Sequence, residues 1–186
     1  MLFRKGDNII LIGMPAAGKS TAGVLLAKMM GYDFIDTDLL IQRRENARLE
    51  EIIARMGMDG FLGLEEDVCL SLQAKNTVIA TGGSVVYESR AMEHLRATGV
   101  TVYLQIDWDT LSGRLHDIHG RGVVLREGQS LRELYEQRIA LYERYADLII
   151  DEKNMTLEET VRAVYREIGL INDVRGNYEL QTSWEN

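Results

Sequence analysis

The chain has 186 residues, 46% of them hydrophobic, a formal net charge of −8 and a sequence pI near 5.0. That length supports one well-buried core and leaves no room for two ordinary domains without a visible boundary, so a single domain is expected over residues 1–171. The acidic balance repels nucleic acid and anionic membrane and points to a small-molecule enzyme, in which a few local basic groups hold an anionic ligand.

In chain order, Ile9-Ile10-Leu11-Ile12 is a short β-branched run of the kind that makes a strand buried on both faces. The apolar run is too short for a signal peptide or a membrane span, and the lone Cys69 can form no internal disulfide, so a cytoplasmic protein is expected. Thr21 to Met30 carries Leu25/Met29 and Leu26/Met30 at helical spacing. Between strand and helix, Gly13-Met14-Pro15-Ala16-Ala17-Gly18-Lys19-Ser20 fits the phosphate-cradle pattern G-x-x-x-x-G-K-[ST]. Such a loop turns tightly on its glycines, points backbone N–H groups at phosphate oxygens and adds the positive end of the following helix. Gly13, Ala16, Ala17, Gly18, Lys19, Ser20 and Thr21 are therefore the candidate nucleotide contacts, with Lys19 on the β- and γ-phosphates and the Ser20 hydroxyl on Mg²⁺.

Asp33-Phe34-Ile35-Asp36 reads as a second strand, with Asp36 and Asp38 at its carboxyl end, and Leu39-Leu40-Ile41 opens a helix. Leu49 to Met56 and Leu62 to Leu72 read as two helices parted by the breaker cluster Gly57-Met58-Asp59-Gly60, within an inserted lobe of about residues 38–72. Thr77 to Ala80 is another buried-type strand, ending in Thr81-Gly82-Gly83-Ser84, a loop a ligand can approach closely. Glu88 to Ala97 reads as a helix. Val100 to Ile106 reads as a strand with one less buried face, carrying Thr101, Tyr103 and Gln105. Thr110 to Leu115 starts a helix, and the basic, glycine-rich segment from His116 to Gly128, with Arg121, reads as mobile. Leu131 to Tyr145 is a charged amphipathic helix, Asp147 to Ile150 a last strand and Leu157 to Ile168 a closing helix, before a loosely ordered tail over 172–186. Strands alternating with helices imply an α/β sandwich on a mainly parallel sheet, with ligands outside the carboxyl ends of the strands.

The cradle, Ile35-Asp36-Thr37-Asp38, Val78 to Gly83, Arg121, and Arg138 to Glu143 with Ala146-Asp147 occur in the order in which they stand in the shikimate kinases, and over residues 8–168 the chain resembles that family. The resemblance implies a P-loop kinase sandwich with a five-stranded parallel sheet, a lid formed by the segment from His116 to Gly128, ATP and Mg²⁺ as cofactors, and phosphoryl transfer to a hydroxyl of a small cyclic acid. It further implies Ser20 and Asp36 as metal ligands, the latter through water, and Asp38 orienting the acceptor hydroxyl and taking its proton. Gly82 and Gly83 would offer N–H groups to the substrate, Arg121 would meet the phosphates, Arg114 would stack on adenine, and Arg138 would bind the acceptor's carboxylate. A monomer with a small-molecule partner is expected.

The pattern breaks on the substrate side. Leu62 follows Phe61 where the family has a second substrate-binding arginine, Glu65 remains without that partner, Ser84 replaces a third glycine, and Gly122 stands for a proline. Three readings follow: a shikimate kinase using Arg138 plus a substitute such as Arg55; a kinase of another hydroxylated acid, such as homoserine or gluconate; or a nucleotide-binding module without turnover. Lys19, Ser20, Asp38 and Arg121 argue against the third. Met56 and Met58 are gap-fillers or line a less polar pocket, and His94, His116 and His119 are too scattered for a metal site.

Overall fold

The computed structural model of the chain describes residues 7–114 and 128–173. The expected lid apart from Gly128, including His116, His119 and Arg121, lies outside the described residues, as does the tail beyond Asp173. Five strands, β1 (Asn8–Ile12), β2 (Asp33–Asp36), β3 (Thr77–Ala80), β4 (Gly99–Gln105) and β5 (Leu148–Asp151), form one sheet in the order β2-β3-β1-β4-β5. Every neighbouring pair is parallel. Parallel neighbours require crossovers, and the connecting helices are α1 (Lys19–Met30), α2 (Thr37–Glu45), α3 (Leu49–Ser71), α4 (Ser89–Thr98), α5 (Trp108–Arg114), α6 (Leu131–Tyr145) and α7 (Leu157–Asp173). Successive strand residues face opposite sides of a sheet, and β1 and β3 are buried at every position, so both faces are covered. Helix α1 packs on α7, and α3 packs on α4. The five-stranded parallel α/β sandwich expected from the sequence is the observed architecture.

Four local expectations change. Residues 49–71 are two helical stretches that meet at a kink at Gly57, φ 71°, as the sequence suggests, but the break is this one residue and the second stretch starts at Met58. Tertiary packing overrides the weak helix propensity of Gly60: α2 and α3 bury a small core of their own, built from Ile41, Ile52, Phe61, Leu64 and Val68. Strand β4 has no less buried face, since Thr101 and Tyr103 are fully buried; Tyr103 stacks on Tyr142 of α6, with centroids 5.0 Å apart. Asp147 precedes β5, its Oδ2 accepting from the Thr101 N–H at 2.9 Å. Finally, α7 continues past Ile168 to Asp173.

Because the strands are parallel, the loops after β1, β2 and β3 meet along one edge of the sheet. That edge carries the site.

Candidate active site

The loop after β1 folds as the cradle pattern requires. Ala16 and Gly18 take left-handed conformations, at φ 65° and 85°, and a Cβ at Gly13 would lie 2.6 Å from the Leu104 carbonyl oxygen. Lys19 is buried and its Nζ donates to the carbonyls of Gly13 at 2.8 Å and Met14 at 2.9 Å. Burial pushes the Lys19 amine down to about 8, against the opposing pull of Asp38. Ser20 and Thr21 stand exposed in the first turn of α1. Arg114 reaches back from α5, donating to the Ala16 carbonyl at 2.9 Å, and so braces the loop.

At the end of β2, the Asp36 side chain caps α2 by accepting from the Leu39 N–H at 3.2 Å. Asp38, in the first turn of α2, lines the cavity, and burial pushes its carboxyl up to about 6, with Lys19 opposing. Between them the buried Thr37 accepts the Gly82 N–H at 3.1 Å. That N–H, which the family resemblance offers to the substrate, is thus spent on α2. The adjacent Gly83 carbonyl accepts from the Tyr142 hydroxyl at 2.6 Å.

Arg138 is 1% exposed, stacked 5.2 Å from the Tyr87 ring centroid, and its Nη1 reaches the backbone of Gly83, where a Cβ would lie 3.2 Å away. It forms no ion pair among the described residues, and its Nε has no hydrogen-bond partner. A buried guanidinium with no counter-ion is costly unless an anion completes it. Glu65 is also fully buried; its Oε2 lies 2.6 Å from Ser84 Oγ, and burial pushes the carboxyl up to about 8. Ser84 is therefore the partner of the glutamate that the sequence leaves without one.

A cavity of about 340 Å³ has Lys19, Asp38, Phe61, Gly82, Gly83 and Ser84 on its wall, with Glu65 and Arg138 behind the glycine pair. The sequence reading missed Ser84 as Glu65's partner, and Thr37, Tyr87 and Tyr142 as supports. Only the position of Thr37 between Asp36 and Asp38 could have signalled one of them. Arg55, a suggested substitute cation, instead pairs with Glu45 on α2. Met56 is 42% exposed and Met58 packs against the small α2–α3 core, so neither lines the cavity. Among the described residues no cluster of three or more acids, histidines or cysteines could hold a metal, and no helix is long and apolar enough to cross a membrane.

Known proteins agree with this geometry. The family model described as shikimate kinase matches residues 15–169. Among curated relatives, a shikimate kinase from Thermodesulfovibrio yellowstonii is 34% identical over 163 residues, covering 86% of this chain and 94% of the relative. One from Alteromonas mediterranea is 37% identical over 166 residues, covering 88% and 97%. The solved structure of the Acinetobacter baumannii shikimate kinase in complex with shikimate superposes with a TM-score of 0.78 at 30% identity, covering 92% of this chain and 96% of that one. A gluconokinase from Sinorhizobium meliloti shares the fold, with a TM-score of 0.53 at 16% identity. The chain is an ATP-dependent kinase and belongs to the shikimate kinase family.

Proposed function

We propose that the chain transfers the γ-phosphoryl group of ATP to a hydroxyl of a small carboxylic acid, with shikimate the first candidate. The observation that carries this reading is the buried Arg138 guanidinium, which has no ion pair among the described residues and stands directly behind Gly83, a residue of the cavity wall that also holds Lys19 and Asp38. An acid whose carboxylate meets Arg138 brings its hydroxyl toward Asp38. With its carboxyl near 6, Asp38 is mostly ionised at neutral pH and accepts the hydroxyl proton. Lys19, released from the Gly13 and Met14 carbonyls, neutralises charge on the transferring group.

Mg²⁺ fits the residues present. The exposed Ser20 hydroxyl would be one ligand, and Asp36, whose capping bond engages Oδ1, would offer Oδ2 for a water-mediated contact. The absence of an acidic cluster among the described residues suits an ion held mainly by phosphate oxygens and water. When bound it offsets charge on the β- and γ-phosphates. Arg114, fixed at the edge of the cradle, is assigned to the adenine, and Arg121, outside the described residues, to the phosphates; both roles rest on the family pattern. Residues 1–171 act as one domain, and the chain works as a monomer.

A second reading, a kinase of a different hydroxylated acid, is favoured by the buried Leu62 and Ser84 where the family pattern has arginine and glycine. An ADP-release assay with Mg²⁺ across shikimate, homoserine and gluconate separates the readings. Turnover with shikimate is expected. Turnover with another acid alone selects the second reading, and ATP binding without any acceptor-stimulated release overturns both.

A further inference from the structure

Glu65 differs from the other acids of the site. It is fully buried, its Oε2 lies 2.6 Å from Ser84 Oγ, its Oε1 has no hydrogen-bond partner, and it forms no ion pair among the described residues. Oε1 occupies the space that a Cβ at Gly82 would take, and Asp38 Oδ1 would lie 2.8 Å from the same point. An ionised Glu65 would set a second buried carboxylate beside Asp38 with no cation in contact, an arrangement low-dielectric surroundings oppose. A protonated carboxyl avoids that cost and changes the hydrogen-bond direction. Its O–H donates to Ser84 Oγ, and the serine's own O–H becomes available to another acceptor. Ser84 stands on the cavity wall beside Gly83, which backs onto Arg138 Nη1.

We propose that Glu65 keeps a proton in the working enzyme and that Glu65 and Ser84 form a donor relay, Glu65 O–H to Ser84 Oγ and Ser84 O–H to the acceptor's carboxylate, opposite Arg138. This rests on the reading of a carboxylate acceptor bound at Arg138. Ser84 touches the substrate, and Glu65 is a positioning residue that decides which way the serine donates. The cavity thus holds a carboxylate with one guanidinium and one hydroxyl.

The groups facing Glu65 are Asp38 from α2, Lys19 from α1, Arg138 and Tyr142 from α6, and Cys69 on its own helix. Asp38 raises its affinity for the proton, while Lys19, Arg138 and the Ser84 bond lower it; burial outweighs them and holds the carboxyl near 8. Above that pH Glu65 ionises, draws the serine O–H back and adds a negative charge beside the bound carboxylate.

Two measurements test the relay. In the ligand-free protein at pH 7, the infrared band of a protonated buried carboxyl should be present and should vanish in Glu65→Gln; no such difference overturns the proposal whatever the acceptor proves to be. In calorimetric titrations without nucleotide, shikimate should bind at pH 7 and weaken by about tenfold by pH 9, the most that losing one proton from a carboxyl near 8 allows over that range. Lys19 titrates in the same window, so the variants isolate the effect. Glu65→Gln, whose amide donates to Ser84 at every pH, should bind at pH 7 and lose most of the weakening, whereas Ser84→Ala should bind poorly already at pH 7. A wild-type pH profile in Glu65→Gln, or neutral binding as poor as in Ser84→Ala, overturns the relay. If shikimate fails to bind and the infrared band is present, the shikimate reading falls and the protonated Glu65 stands.

Discussion

Ser84 Oγ lies 2.6 Å from Glu65 Oε2, a buried hydrogen bond that joins helix α3 to the loop after β3. Ser84, which follows the glycine pair where the family pattern has a third glycine, holds the glutamate that Leu62 leaves without an arginine. The same contact sets a stability prediction. The Glu65 carboxyl rises from 4.5 to about 8 on folding, so the native state holds a proton that the unfolded chain releases. Stability should therefore fall as pH rises from about 4.5 to about 8 and change little from this group above that. Each unit of separation is worth about 1.4 kcal/mol. Glu65→Gln should flatten this slope and gain stability relative to the wild type toward pH 8, read from urea midpoints across the range. An unchanged slope in the variant would mean that Glu65 is not the group responsible.

Arg138→Lys should raise the acceptor KM by about ten- to a hundredfold, because an ammonium cannot reproduce the planar fork stacked on Tyr87. The KM for ATP should move little. Steady-state kinetics with each substrate varied in turn distinguishes the two effects, and equal shifts would place Arg138 outside the acceptor site.

Gly82→Ala should be severe, although alanine is the smallest possible addition. Its Cβ would collide with Glu65 Oε1 and lie 2.8 Å from Asp38 Oδ1, so both carboxyls must move. A loss of roughly 1–3 kcal/mol in stability is expected from such overpacking, together with loss of acceptor turnover. Thermal melts and the ADP-release assay measure the two consequences.

Lys19→Met should lower kcat by about 10²–10³-fold, the usual loss when one preorganised electrostatic group is removed. Two buried bonds to Gly13 and Met14 also disappear, so the free cradle should loosen as well. Comparable kcat in the variant would remove Lys19 from the phosphoryl-transfer step.

Leu62→Arg places a guanidinium three residues before Glu65 on α3, on neighbouring parts of one helix face. Stronger shikimate binding by calorimetry is expected if the cavity otherwise keeps the family geometry. Unchanged or weaker binding would show a pocket rebuilt around Ser84.

The cradle, the order of strands and helices, and the parallel sheet were legible in the sequence because each depends on local signals: β-branched runs, helical spacing, and glycines at a strand-to-helix turn. Asp36, Asp38 and Arg138 stood out as candidates through their order along the chain. Burial was not. The less buried face expected for β4 is covered, Tyr103 lying against Tyr142, and Arg138, on a helix that reads as charged and amphipathic, is 1% exposed.

By itself, then, the sequence determined the phosphoryl-donor half of this protein, because a phosphate cradle is one continuous stretch in which backbone conformation and side chain are set by neighbours. The arrangement of the candidate acceptor groups was decided only by the tertiary structure. Glu65, Ser84, Gly82, Thr37 and Arg138 come from four separate segments, and their charge states and hydrogen bonds depend on how deeply packing buries each beside the others. Leu62 and Ser84 read in sequence as two losses, and folding makes the second of them the partner of Glu65.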